Sequence, residues 1–177
     1  MNALERLKKG NEESLLEGNS IGDLSLKRKK ETSENGQHPY AVILTCSDSR
    51  VIPEAIFHAG IGDLFVIRVA GNVIGEDTLA SIEYGLTHLG AETVLVLGHT
   101  HCGAVTAAIE GEAHGHIAKS IQKIQHAIHE EKDIEKAVLL NAISVQEEIR
   151  SSLGKDTPVE VGIYDIETGI VSFYEPK

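Results

Sequence analysis

The sequence contains little positive charge and no long apolar stretch. Lys and Arg together number 16 against 27 Asp and Glu, so the formal net charge is −11 at pH 7. A surface this acidic repels a phosphate backbone, and we therefore do not expect nucleic acid as a partner. No stretch approaches the roughly 18 consecutive apolar residues of a membrane-spanning helix. Because the N-terminal segment is charged and lacks the apolar centre of a secretory signal, we expect a cytoplasmic protein without a membrane partner.

Cysteine is also scarce, since the chain has only Cys46 and Cys102. Disulfides are rare in cytosolic proteins, where metal binding or catalysis is the more common use of such a pair. Two buried thiols packed in the core are the alternative explanation. The pair alone does not decide between them.

The apolar pattern predicts a single α/β domain over residues 1–177. Short apolar runs bounded by turn residues predict a mainly parallel four-stranded sheet flanked by helices, and a final hairpin adds a C-terminal antiparallel edge strand. Residues 1–38 are expected to form an N-terminal helical arm and residues 39–177 the core. Asp77 or Thr78 is expected to cap the fourth helix. The predicted strands are 40–45, 64–68, 93–97, 159–164 and 170–174, and the predicted helices are 2–18, about 27–30, 53–58, 77–89, 103–111, 116–130 and 132–152.

Both cysteines lie where a predicted strand ends. Cys46 follows the first strand, whereas His99 and Cys102 follow the third. Parallel α/β sheets bind their ligands outside the carboxyl ends of the strands, so these side chains are expected to meet at one edge. The pattern thus favours a shared site over two unrelated thiols.

Thiolate and imidazole are preferred ligands of zinc, which binds four groups in a tetrahedron. Cys46, His99 and Cys102 supply three ligands, and the position left open is typical of a catalytic zinc. His101 is a rival for His99, but His99 is separated from Cys102 by two residues and glycines on either side allow a tight turn. We therefore expect one zinc per chain. Zinc can lower the pKa of a bound water to near 7, but two thiolates neutralise the metal, so we expect this water to be harder to ionise and nearby groups to matter more.

Asp48 and Arg50 lie directly after the first cysteine, in the segment CSDSR. The Asp48 carboxylate could accept a hydrogen bond from the zinc-bound hydroxide, and Arg50 could hold that carboxylate in a bidentate pair. If this pair opened, Asp48 could itself occupy the open zinc position and block it. A surface ion pair of little energetic value is the alternative explanation.

The segments CSDSR, GDLFVIRVAGN, SIEYG and GHTHCGAV together resemble the β-class carbonic anhydrases over almost the whole chain. The resemblance implies that Cys46, His99 and Cys102 bind zinc and that Asp48 and Arg50 form the family's Asp–Arg pair. It also implies reversible hydration of carbon dioxide to bicarbonate and a proton.

The resemblance extends to four residues of a substrate pocket. Gln37 matches a glutamine that enters the active site of the neighbouring subunit, which implies a homodimer or a dimer of dimers. Phe65 and Tyr84 match an apolar wall, although ordinary core packing explains them equally well. Gly103 is expected to offer its backbone N–H to the substrate, where oxygen charge develops.

Some positions depart from the family pattern. Val69 stands where asparagine is common, and GNEES replaces the usual end of the N-terminal helix, which leaves the dimer contacts open. The absence of tryptophan disfavours a tryptophan-containing bicarbonate regulatory site. Hydrolysis of carbon disulfide or carbonyl sulfide is an alternative activity, and a non-catalytic zinc-binding module is a second alternative. His114 and His116 are candidate proton shuttles, although a solvated helix face is the simpler explanation.

Overall fold

The structure is a computed structural model that describes residues 1–16 and 21–174. Its strands are β1 (Ala41–Thr45), β2 (Leu64–Arg68), β3 (Thr93–His99), β4 (Val159–Tyr164) and β5 (Val171–Tyr174). Its helices are α1 (Ala3–Ser14), α2 (Leu26–Asn35), α3 (Pro53–Ile56), α4 (Glu76–Thr87), α5 (Gly103–Glu110), α6 (Ala118–Ile128) and α7 (Ile134–Leu153), with short 3-10 turns at Ala70–Asn72 and Gly115–Ile117. No helix in the described ranges is long and apolar enough to cross a membrane.

The five strands form one sheet in the order β2-β1-β3-β4-β5. The first four are parallel, and β5 pairs antiparallel with β4 at the edge. The predicted fold class is therefore confirmed. The third strand is longer than predicted and ends at His99 instead of residue 97, because β4 continues to pair with it as far as Tyr164.

Alternate residues of the central strands face two separate apolar layers, as the period of two in a strand requires. Val42 and Leu44 pack with residues of α4, α5, α6 and α7, whereas Ala41 and Ile43 pack with residues of α1 and α3. Every residue of β1 and β3 is buried. Burial on both faces explains why the middle of each strand is a continuous apolar run, at 41–44 and 94–97, rather than an alternating one.

Helix α1, which the sequence places over residues 2–18 as part of an arm, packs on its own chain. It begins after Asn2, whose side chain forms a capping box with Glu5, and residues 17 and 18 lie outside the described part of the chain. Leu7 is fully buried, and the 5% exposed Asn11 bonds to the backbone at Ile56, Gly169 and Val171. The inner face of α1 thus belongs to the core.

Helix α4 begins earlier than a cap at residue 77 or 78 would allow. Its first residue is Glu76 and its N-cap is Gly75, which makes no side-chain capping bond, so Asp77 and Thr78 are helical residues rather than caps. Glu76 and Asp77 lie in the first turn, where negative side chains interact favourably with the helix dipole. The prediction of a capping side chain at residue 77 or 78 was wrong, because the helix begins at Glu76 and its N-cap is Gly75.

Candidate metal centre

The sulfur atoms of Cys46 and Cys102 and a ring nitrogen of His99 lie within 4.8 Å of one another. Cys46 follows β1 directly, His99 ends β3, and Cys102 is the N-cap of α5. Because β1 and β3 are parallel neighbours, their carboxyl ends bring these residues to the same edge of the sheet. All three residues are at most 6% exposed.

His99 is oriented by its own backbone neighbour. Its Nδ1 lies 2.8 Å from the carbonyl oxygen of Thr100, which can only accept, so Nδ1 carries the proton. Its Nε2 is buried and has no hydrogen-bond partner in the described structure. A buried lone pair without a partner beside two sulfurs fits a metal ligand. The rival residue His101 is exposed and lies outside the cluster.

The two sulfurs compete for a proton when no cation is bound. A hydrogen bond from Cys102 lowers the pKa of the Cys46 thiol, and the Gly71 N–H lowers it further against the effect of burial. The same hydrogen bond, together with burial, raises the pKa of the Cys102 thiol. A cation between the sulfurs would replace this proton, because thiolates are the form that binds metal.

The Asp48 carboxylate is held by two parallel hydrogen bonds from Arg50. Arg50 Nε lies 2.9 Å from Oδ1 and Arg50 Nη2 lies 2.7 Å from Oδ2, while the Arg50 backbone N–H also donates to Oδ1. These bonds hold the pKa of the Asp48 carboxyl well below its usual range. Arg50 also donates to the His101 carbonyl, so it connects the two segments that carry the cluster.

Arg68 contacts the same segment and was not singled out from the sequence. Its Nε donates to the Cys46 carbonyl at 3.2 Å and its Nη2 to the Asp48 carbonyl at 2.6 Å. Arg68 pairs with Thr45 in the sheet, at the carboxyl ends of β1 and β2. A charged residue at the end of an otherwise apolar strand was the available signal.

The four candidate pocket residues lie in two different places. Gly103 is exposed, follows Cys102, and as the first residue of α5 has an N–H without a helical partner. Gln37 and Phe65 lie at the opposite end of the strands, because Gln37 precedes β1 and Phe65 pairs with Val42. The Tyr84 ring lies 6.1 Å from that of Phe65 and is stacked on His88.

A simple length estimate separates these three residues from the cluster of the same chain. Each strand residue adds about 3.3 Å, so Ala41 and Thr45 lie roughly 13 Å apart. Gln37 is exposed and precedes even Ala41, whereas Cys46 follows Thr45. Gln37, Phe65 and Tyr84 are therefore not brought together with Cys46 within one chain.

The parallel sheet and its buried Cys–His–Cys cluster define an α/β protein with a thiolate-rich cluster at the strand ends that could hold a metal ion. The family model described as carbonic anhydrase matches residues 41–171. The chain therefore belongs to the carbonic anhydrase family, and its fold is that of the β class.

Curated relatives match over a limited segment. The chain is 55% identical over 64 residues to carbonic anhydrase 2 of Mycobacterium tuberculosis, covering 36% of this chain and 31% of that protein. It is 50% identical over 72 residues to a carbonic anhydrase of Synechococcus elongatus, covering 36% and 26%. The matched segments thus span about a third or less of these relatives.

Solved structures match over most of the chain. The β-carbonic anhydrase CcaA superposes with a TM-score of 0.69 at 30% identity, covering 85% of this chain and 83% of that one. A Coccomyxa β-carbonic anhydrase in complex with acetazolamide gives 0.70 at 25% identity, covering 83% and 78%. A carbon disulfide hydrolase shares the fold at 22% identity, with a TM-score of 0.58 and coverage of 83% and 86%.

Proposed function

We propose that this protein catalyses the reversible hydration of carbon dioxide to bicarbonate and a proton, with one zinc per chain held by Cys46, His99 and Cys102. The observation that carries the proposal is the buried cluster itself, in which His99 Nε2 lies beside the two sulfurs and finds no hydrogen-bond partner among the described residues. When bound, zinc would act as a Lewis acid and make water a nucleophile near neutral pH. Membership of the carbonic anhydrase family supports this reaction.

The residues around the cluster have separate roles in this proposal. Asp48 accepts a hydrogen bond from the attacking water and so directs a lone pair of the water oxygen at the substrate carbon. Arg50 keeps the carboxylate in place through its two bonds, and Arg68 fixes the backbone that carries both Cys46 and Asp48. The Asp48 carboxylate needs to be charged for this role, and the lowered pKa supports that state.

The substrate is apolar until it reacts, and the proposed pocket reflects this. Gly103 N–H stabilises the negative charge that develops on one substrate oxygen. Phe65 and Tyr84 provide an apolar wall and Gln37 a polar contact. In this proposal they come from a second copy, because the length of β1 separates them from the cluster of their own chain. The functional unit is then at least a homodimer, and pairing into a dimer of dimers is compatible with it.

Stopped-flow carbon dioxide hydration tests the reaction on protein of known zinc content, from about pH 6.5 to 9. We expect a rate that rises with pH, and a loss of about 100-fold or more in Asp48→Asn with zinc retained. Asp48 stays ionised throughout this range, so the pH dependence has to come from another group. An inactive protein with one zinc per chain would reject the proposal. Carbon disulfide and carbonyl sulfide would then be assayed, followed by a search for a binding partner.

Subunit mixing tests whether Gln37 acts across an interface. Gln37→Ala should lose turnover but keep zinc, because Gln37 lies far from the ligands of its own chain. Co-expression of Gln37→Ala with Asp48→Asn yields heterodimers in which one site is intact, so about a quarter of all sites regain activity. Each variant expressed alone forms only homodimers and provides the control. No recovery in the mixture would mean that Gln37 does not act in the neighbouring site.

A further inference from the structure

Asn141 of α7 reaches the metal centre through the backbone of a single residue. Asn141 is 2% exposed, and its Nδ2 donates a 2.9 Å hydrogen bond to the Gly71 carbonyl. The N–H of Gly71 in turn donates to Cys46 Sγ at 3.3 Å. Gly71 is therefore held on one side by Asn141 and directed on the other side at a sulfur of the cluster.

The turn that contains Gly71 needs such a contact. Gly71 has φ of 74° and ψ of 15°, and the next residue, Asn72, also has a positive φ of 44°. Gly71 adopts this conformation without strain, whereas a left-handed non-glycine residue such as Asn72 persists only where the surroundings hold it. Since glycine has no side chain to restrict its rotation, the direction of its N–H depends on contacts such as the one from Asn141.

We propose that Asn141 is a positioning residue of the metal centre, because its amide holds the Gly71 carbonyl and thereby keeps the Gly71 N–H directed at Cys46 Sγ. The inference rests on the proposed role of Cys46 as a metal ligand. It assigns a function to a helix that contributes no ligand.

The N–H to sulfur bond changes the chemistry of the bound metal. A donor on a thiolate withdraws electron density from the sulfur, so the metal keeps more of its positive charge. This matters in a site with two thiolates, which neutralise a divalent ion. Loss of the bond should make Cys46 a stronger electron donor. In the cobalt-substituted protein, the sulfur-to-cobalt charge-transfer absorption should then move to longer wavelength.

The experiment compares Asn141→Leu with Gln146→Leu in the cobalt and zinc forms. Gln146 is a matched control, because it lies in the same helix, is 3% exposed, and donates through Nε2 to the Val159 carbonyl, which is not part of the cluster. We expect Asn141→Leu to move the charge-transfer band to longer wavelength and to weaken zinc binding about tenfold or more. Gln146→Leu should leave both properties unchanged.

A measurement on the unmodified protein keeps the inference testable even if Asn141→Leu does not fold. In the ¹¹³Cd-substituted protein, the Gly71 amide proton should show a scalar coupling to cadmium through Cys46 Sγ. This coupling should shrink in Asn141→Ser. Absence of the coupling, or a charge-transfer band in Asn141→Leu identical to that of Gln146→Leu, overturns the inference. A protein that shows both effects but does not hydrate carbon dioxide would instead reject the proposed function alone.

Discussion

Replacing Gly71 by alanine should damage both stability and metal binding, because a methyl group there has no space. A Cβ built on Gly71 would lie 2.6 Å from Ile124 Cδ1 and 3.1 Å from Ala104 Cβ. Ile124 is fully buried, so its side chain has to rearrange within a packed core, while the Ala104 Cβ moves only with its helix. The φ of 74° adds a backbone cost that any non-glycine residue meets.

The expected loss in the free energy of unfolding follows from these two contributions. A left-handed backbone costs a non-glycine residue about 1–2 kcal/mol, and forcing an extra carbon into a packed core costs about 1–3 kcal/mol. We therefore expect Gly71→Ala to lower the free energy of unfolding by about 2–5 kcal/mol. For a chain of 177 residues this corresponds to a fall in Tm of about 4–20 °C.

Gly90 provides the matched control, because its φ of 73° is nearly the same and a Cβ added there would meet no atom of the described residues within 4 Å. Gly90→Ala should therefore lose only the backbone contribution of about 1–2 kcal/mol. The assay is urea unfolding of both metal-free variants, followed by zinc titration against a chromophoric chelator. Equal destabilisation of the two variants would refute the crowding argument. Weakened zinc binding in Gly71→Ala alone would link the turn to the metal centre.

Three further changes test other parts of the structure. Arg50→Lys keeps the charge but not the paired hydrogen bonds, so turnover should fall about tenfold or more with little change in Tm; unchanged turnover would mean that charge alone suffices. Asn11→Ala leaves the Gly169 carbonyl and the Val171 N–H without their side-chain partner, so the free energy of unfolding measured in urea should fall by about 2–5 kcal/mol. As a control, Asn35→Ala at an exposed position should change it by less than about 0.5 kcal/mol. Burial raises the pKa of Tyr40 to about 12. Above about pH 10 the unfolded chain loses a proton that the folded chain keeps, so the free energy of unfolding falls as pH rises. Tyr40→Phe should make this fall shallower in alkaline unfolding curves.

The sheet could be predicted from the sequence because its central strands are buried on both faces. In β1 four consecutive residues, from Ala41 to Leu44, are apolar, and no amphipathic helix produces that pattern. The end of β3 could not be predicted, because Gly98 and His99 carry no apolar signal and are kept in the strand by pairing with Ile163 and Tyr164 of β4. The start of α4 was missed because its N-cap, Gly75, makes no side-chain bond.

The cluster could be predicted because Cys46 directly follows β1, His99 ends β3 and Cys102 lies three residues beyond it, so the topology brings the ligands to one edge. The supporting contacts could not, because they join residues far apart in the sequence. Arg68 reaches the Cys46 carbonyl across 22 residues, and Asn141 reaches the Gly71 carbonyl across 70. The first contact depends on which strands pair and the second on how α7 packs on the sheet, and no local periodicity specifies either.

If Gln37, Phe65 and Tyr84 belong to the substrate pocket as proposed, their position would leave the pocket of a single chain incomplete. The cluster, Asp48 and Gly103 lie at the carboxyl ends of the strands, whereas Gln37 and Phe65 lie at the amino ends. A two-fold interface places the same two surfaces in contact twice, so one carboxyl edge can meet the amino edge of its partner at two equivalent sites. Tyr84 is 46% exposed in one chain, and such contact would bury this aromatic surface. Both sites would then depend on the same interface, so loss of the dimer should abolish substrate binding without disturbing the metal ligands.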